Sequence, residues 1–330
     1  MDGQTEDQRD RAMADWLRQR GVEPAGLRPL GGDASGRRYF RVTGPAGDCV
    51  VMDAPAQAAS CEAFLRVQRL MAAARLHVPR IEAADSARGF MLLEDLGDAD
   101  YLARLTGPDR ELLLDDAVHA LVRWQAATRP GALPFYDAEH LAAELALFPA
   151  WYVERHLGVK PDADWWRRWQ AASTALIEAA MAQPQVWVHR DFMVRNLLVS
   201  DPNPGIIDFQ DALLGPVTYD LASLLRDAFF SLEPAEEASW IGIYRERAAR
   251  AGIALPDDPV RALDLMAAQR HLKVLGIFAR LCHRDGKPRY IADAPRFLAY
   301  LDRELRPYPA FHDLAALVAA LPSPPAVTTA

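Results

Sequence analysis

The sequence predicts an α+β protein of two lobes, a small one built on antiparallel strands and a larger, mainly helical one. Three observations carry that expectation. Before Gly97, short runs rich in Val, Tyr, Phe and Met are separated by Gly and Pro turns. Beyond Asp98, apolar residues recur at helical spacing in segment after segment. A single strand–loop–strand passage around residue 190 interrupts those helices. The expected division is 1–97 for the first lobe, 98–320 for the second, and a loose tail over 321–330 marked by Pro322, Pro324 and Pro325.

Taken in order, residues 7–20 read as an amphipathic helix with Met13, Trp16 and Leu17 on one face and Gly21 as a stop. Gly31 to Gly36 is a turn-rich loop. Residues 38–42 and 49–52 form the strands of a hairpin around Gly44-Pro45-Ala46-Gly47. A helix over 59–76 carries Phe64, Val67, Leu70 and Met71 on one face, and strands follow at 81–83 and 90–93. Helices are then expected near 109–127, 138–157, 163–182, 218–230, 235–251, 259–283 and 291–304.

Bulk properties exclude several classes. A chain of 330 residues, half of it hydrophobic, has ample material for a core. A net charge of −8 argues against binding through a nucleic-acid backbone, which needs a basic face. Cys49, Cys61 and Cys282 are scattered, so neither a disulfide framework nor a zinc site is expected. The polar, acidic N-terminus is unlike a signal peptide, and apolar runs such as 272–281 are broken by Lys273 and Arg280, so no membrane span is expected. The expectation is a cytoplasmic monomer working on small molecules.

Chemistry concentrates in 186–209. An apolar strand ends at His189-Arg190-Asp191, Asn196 follows five residues after Asp191, and a second apolar stretch ends at Ile207-Asp208-Phe209. Transfer of a phosphoryl group from ATP needs such a set: one carboxylate to orient a hydroxyl and receive its proton, and an amide and a carboxylate to hold Mg²⁺. The spacing is similar to the H-R-D-x-x-x-x-N and D-F-G motifs of protein kinases. Asp191 is therefore the candidate base, and Asn196 and Asp208 are the candidate metal ligands. A turn at Asp201-Pro202-Asn203-Pro204-Gly205 would bring the last two together. His189 reads as a structural group bonding backbone around the loop, and Asp220 as a helix cap that steadies it. Trp151, Tyr152, Trp165, Trp166 and Trp187 read as core rather than a sugar-stacking platform, a role left open for one or two of them. Gly32, Ser35, Gly36, Arg37 and Arg38 form either a phosphate-covering loop or simply a turn.

With these residues in place the chain resembles the aminoglycoside phosphotransferase/choline kinase superfamily, whose members share a bilobal protein-kinase-like fold. The likeness spans roughly residues 27–290. Within that group, the strings 32–42, Val51-Met52-Asp53-Ala54-Pro55, 189–197 and 207–221 resemble the bacterial anomeric sugar kinases of cell-wall recycling. The resemblance implies ATP and Mg²⁺ as cofactors and N-acetylmuramate and N-acetylglucosamine as substrates, phosphorylated at the anomeric hydroxyl. It also implies that the stretch from Leu92 to Leu96, including Glu94 and Leu96, meets adenine through its backbone. The lactyl carboxylate of N-acetylmuramate would be met by Arg195 or another arginine of the larger lobe.

One departure stands out. The superfamily places a Lys on the third strand to pair with phosphates, whereas this strand reads Val50-Val51-Met52-Asp53. Either Arg37, Arg38 or Arg41 supplies the positive charge or nucleotide binding is altered, and Glu62 loses its usual partner. Two rivals stay open at this level. Glu236 and Glu237 lining an acidic pocket would favour a cationic aminoglycoside or amino alcohol, and the missing Lys would fit a non-catalytic nucleotide binder.

Overall fold

The computed structural model describes residues 2–30, 36–45, 47–54 and 58–322, without the side chains of 2–6 and 58–60. Gly32 and Ser35, and the tail beyond residue 322, lie outside the described residues. Contacts divide the chain into one unit of Met1–Tyr101 with Asn196–Asp211, and a second of Leu102–Arg195 with Ala212–Ala330. A single boundary at residue 97 does not capture this, because the chain leaves the second unit after Arg195 and returns to it at Ala212.

The first unit holds helix α1 (Asp2–Arg18) and a five-stranded sheet of order β1-β2-β3-β5-β4. The strands are β1 (Arg28–Pro29), β2 (Arg38–Gly44), β3 (Gly47–Asp53), β4 (Ile81–Asp85) and β5 (Phe90–Glu94), all antiparallel. The β2–β3 hairpin closes at Gly44 opposite Gly47, where Gly47 takes φ 127°, a value open to glycine. Met13, Trp16 and Leu17 of α1 join Val42, Val51, Phe90 and Leu92 in one apolar cluster, so α1 covers one sheet face. Four successive residues of β5, Phe90 to Leu93, are buried, the pattern of a strand covered on both sides. Helix α2 (Ala58–Ala73) buries Phe64, Val67 and Met71. The passage 196–211 adds a small hairpin, β7 (Leu197–Leu198) against β8 (Gly205–Ile206). It is tied to the rest of this unit by Ile206 N–H to His77 O and Val199 N–H to Ala99 O, both 2.8 Å.

The second unit begins within the short helix α3 (Tyr101–Arg104) and contains α4 (Arg110–Ala126), α5 (Ala138–Leu145), α6 (Ala163–Met181), α7 (Tyr219–Leu225), α8 (Pro234–Arg250), α9 (Pro259–His283), α10 (Ala294–Leu305) and α11 (His312–Ala319). A strand pair, β6 (Gln185–Val188) with β9 (Leu213–Pro216), lies among them. The helix expected over 138–157 is two elements, since the chain breaks after Leu145 and continues as a π-helix over Phe148–His156 with Pro149 in its first turn. α9 is the axis of the core: residues 263–276 are buried without interruption, and α6, α7, α10 and the π-helix pack on it. Gly276 permits a close approach of the chain just ahead of the π-helix, because a Cβ there would lie 2.5 Å from the backbone of Leu147. Trp187 and Tyr152 are fully buried, while Trp151, Trp165 and Trp166 pack partly buried against the core, consistent with the expected structural roles. Among the described residues no helix is long and apolar enough to cross a membrane.

Candidate active site

β6 delivers His189 and Asp191 into a loop that two buried carboxylates clamp from within the second unit. Asp220, in the first turn of α7, accepts the N–H of His189 through Oδ2 at 2.6 Å and that of Arg190 through Oδ1 at 2.9 Å. Asp227, just past the end of α7, accepts the N–H of Val194 at 2.9 Å and that of Phe229 at 2.7 Å. Both Asp residues are 0% exposed, so each offers the loop acceptors that water cannot replace. Burial raises both carboxyls, Asp220 to about 7, against the lowering pull of those N–H groups and of the buried Arg270 guanidinium. The sequence suggested a cap for Asp220; the structure shows it holding the loop directly, with no cap from its neighbour Thr218.

His189 has the structural place expected of it. It is 1% exposed, its ring lies against Phe192, and its Nδ1 accepts the N–H of Asp191 at 3.3 Å. Arg190 adopts φ 75°, a left-handed conformation costly for a side chain of this size, and the bond from Asp220 to its N–H helps hold it there. Asp191 is half-buried at the centre of the loop, its carbonyl accepting the N–H of Met193 at 2.9 Å.

The first unit carries the two candidate metal ligands. The β7–β8 hairpin brings Asn196 Nδ2 to 3.5 Å from Asp208 Oδ2, and Asn196 O accepts the N–H of Ile207 at 3.1 Å. Asp208 has φ 62°, its side chain is 40% exposed, and Gln210 donates to its Oδ1 at 2.9 Å. Phe209 is buried against Phe64 of α2, with ring centroids 4.7 Å apart, which seats the end of the hairpin. The Asp208 carboxylate, partly exposed, and the side-chain oxygen of half-buried Asn196 are donors of the kind a hard divalent ion takes while keeping waters and phosphate oxygens as its other partners. Glu94 and Leu96 sit where β5 ends, and Glu94 also accepts the N–H of Arg80 at 3.1 Å. Gly205 lets Leu96 come close, since a Cβ there would be 3.0 Å from Leu96 Cδ1.

The three arginines offered in place of the strand Lys separate clearly. Arg38 donates to Asp53 Oδ2 at 2.9 and 2.5 Å, and Arg9 takes Asp53 Oδ1 at 2.7 Å, so the carboxylate on β3 is buried between two guanidinium groups. Arg41 is engaged by Asp95 and reaches Asp98 at 3.4 Å. Arg37, only 6% exposed, lies 3.9 Å from Asp208 Oδ1 and stands beside the candidate metal ligands. Gly36, next to it, takes φ 77°. Glu62 is exposed.

Residues 26–255 match the phosphotransferase enzyme family, which is most of the chain. The chain belongs to that family. Among curated proteins it is 49% identical over 304 residues to an N-acetylmuramate/N-acetylglucosamine kinase of Pseudomonas aeruginosa, covering 91% of this chain and 90% of that protein. It is 44% identical to a protein of the same name from Neisseria meningitidis, covering 88% of each, and 31% identical to one from Caulobacter vibrioides, covering 89% and 92%. Its fold is similar to that of the ADP-bound aminoglycoside phosphotransferase APH(2'')-Ib, with a TM-score of 0.60, 14% identity and coverage of 91% and 98%. It is also similar to the gentamicin complex of APH(2")-IIa, with a TM-score of 0.62, 12% identity and coverage of 90% and 96%. The bilobal, mixed α and β architecture expected from sequence is thus that of known phosphotransferases.

Around the Asp191 loop this phosphotransferase has a charged cluster that sequence reading missed. Glu144 of α5 meets Arg190 Nη2 at 2.5 Å and Lys273 Nζ at 2.9 Å, and it accepts the Tyr136 hydroxyl. Lys273 also donates to Tyr219 Oη at 3.0 Å, and Gln269 donates to Glu144 at 3.2 Å. Burial alone would raise the Glu144 carboxyl, but Lys273, Arg190 and Tyr136 hold it down at about 2. Burial likewise opposes the Lys273 ammonium, and Tyr219 and Glu144 outweigh it. The only sequence signal is a Lys inside an apolar helix run, and by itself that only argues against a membrane span.

Proposed function

We propose that this protein transfers the terminal phosphoryl group of ATP to the anomeric hydroxyl of N-acetylmuramate and N-acetylglucosamine. The products would be the α-1-phosphates formed when cell-wall amino sugars are recycled in the cytoplasm. The observation that carries the reading is that relatives bearing this name match about nine-tenths of the chain, and that the chain keeps Asp191, Asn196 and Asp208 at the spacing the chemistry needs.

In this reading Asp191 is the base. The sugar hydroxyl oxygen bonds to the γ-phosphorus as the bond to the β,γ-bridging oxygen breaks, and the hydroxyl proton passes to the Asp191 carboxylate. An anomeric hydroxyl is more acidic than an ordinary alcohol, so orientation contributes more than basicity. His189, Asp220 and Asp227 supply that orientation through the loop backbone. Asn196 and Asp208 would hold Mg²⁺, which when bound neutralises charge on the phosphate oxygens. Arg37 and Gly36 would serve the phosphates, and the backbone around Glu94 and Leu96 would serve the adenine.

The reading with a cationic substrate loses its support. Glu236 is tied to Arg110 by bonds of 2.9 and 2.6 Å, and buried Glu237 is tied to Arg226 and Arg303, each at 2.8 Å. Neither carboxylate is left to attract an amine. The deciding experiment is sugar-dependent ADP release with purified protein and Mg²⁺, with the phosphorylated carbon assigned by ³¹P NMR. If neither sugar yields a 1-phosphate, the proposal is wrong.

A further inference from the structure

Asp227 does more than close one end of the catalytic loop. By accepting N–H groups from both Val194 and Phe229, its buried carboxylate fixes two separated segments to one point. Arg195 follows Val194, and its guanidinium carbon lies 3.7 Å from the centroid of the Phe229 ring. Phe229 is in turn held against the core beside Phe278. Arg195 is exposed, and its guanidinium makes no ion pair or hydrogen bond to another described residue. The neighbouring pair shows the contrast: Arg110 lies over Phe230 at 5.0 Å, but Glu236 already occupies its fork.

We propose that the stacked Arg195–Phe229 pair is the specificity element of the acceptor site, reading the lactyl carboxylate that distinguishes N-acetylmuramate from N-acetylglucosamine. This rests on the function proposed above and assigns its selectivity to named residues. Stacking takes up one face of the planar guanidinium and leaves its hydrogen-bonding edge open, the geometry that suits a two-point bond to a carboxylate. The ring limits the rotamers the long side chain must lose on binding, so less entropy is spent in forming that bond. Exposure accounts for tolerance of the other sugar. A buried guanidinium would be left unpaired and costly by a substrate without a carboxylate, whereas an exposed one stays hydrated. The pair therefore gives a preference between the sugars rather than an exclusion. Phe229 and Asp227 are positioning residues acting through Arg195.

The test compares kcat and KM for both sugars at saturating ATP and Mg²⁺, using the full chain, Arg195→Gln, Arg195→Lys and Phe229→Leu. The expected result for Arg195→Gln is a fall of about tenfold in the ratio of kcat/KM for N-acetylmuramate to that for N-acetylglucosamine, carried by KM. Arg195→Lys should fall in between, since it keeps the charge and loses the fork, and Phe229→Leu should lower the ratio about threefold. A ratio that stays at the wild-type value in Arg195→Gln overturns the proposal, whatever happens to the two rates together. In a companion titration of ATP at saturating sugar, a raised KM for ATP in Arg195→Gln with the sugar ratio constant also overturns it, and moves the guanidinium to the nucleotide. Wild-type protein inactive on both sugars would instead refute the functional reading on which this one depends.

Discussion

The loop 189–195 and the hairpin 196–211 are consecutive in the chain, yet they are held by different physics. The loop is fixed by groups buried inside the second unit. Asp220 and Asp227 take its backbone N–H groups, and Glu144 with Lys273 anchors the Arg190 side chain. The hairpin has short strands, an exposed Asp208 carboxylate, and an aromatic seat at Phe209. A group that must orient a proton acceptor benefits from a rigid frame, because misplacement by an ångström costs rate steeply. A pair proposed to share a metal with waters and phosphate oxygens needs accessible oxygens more than a rigid frame.

The largest effect is expected at Asp191, the base of the proposed mechanism. Asp191→Asn should lower kcat about 10³-fold while the thermal midpoint stays near that of the wild type. Loss of the midpoint along with activity would show that Asp191 is part of the frame and break the comparison. Next comes the frame itself. Asp220→Ala leaves a buried and a partly buried N–H group without acceptors and should cost about 3 kcal/mol of stability, read by chemical denaturation. A cost below about 0.5 kcal/mol would mean that water reaches the loop.

The charged cluster makes a pH-dependent prediction. The Glu144 carboxyl is depressed on folding, so its stabilisation is present above its unfolded value of 4.5 and is lost as pH falls toward about 2. Lys273→Met removes a principal cause of that depression. The stability gap between variant and wild type should be widest near neutral pH, at a few kcal/mol, and narrow below pH 4.5. A gap constant across that range would contradict the assignment. The smallest effect should fall on the hairpin side. Arg37→Met should raise the KM for ATP about tenfold, whereas Arg38→Met should leave that KM near the wild-type value and lower stability through Asp53. Equal nucleotide effects from both would erase the distinction drawn between these arginines.

The spacing of Asp191, Asn196 and Asp208, the helical periods of α4, α6, α8 and α9, and the hairpin of β2 and β3 were legible because each is a local pattern. Local pattern also gave the aromatic core and the structural role of His189. It failed where a distant group decides. The helix expected over 218–230 stops at Leu225, and Asp227 is drawn instead to the backbone of Val194 and Phe229. No periodicity marks Glu144, Lys273 or Arg270 as partners, since an isolated charge in an apolar run looks the same whether or not a countercharge awaits it. The sequence by itself determined which chemistry is available, because reactive residue types at fixed spacing are a property of the chain. Only the tertiary structure decided which arginine stands by Asp208, which carboxylates are already neutralised, and which guanidinium is stacked with its edge open. Those outcomes depend on through-space distances in a low-dielectric interior, and sequence separation does not encode them.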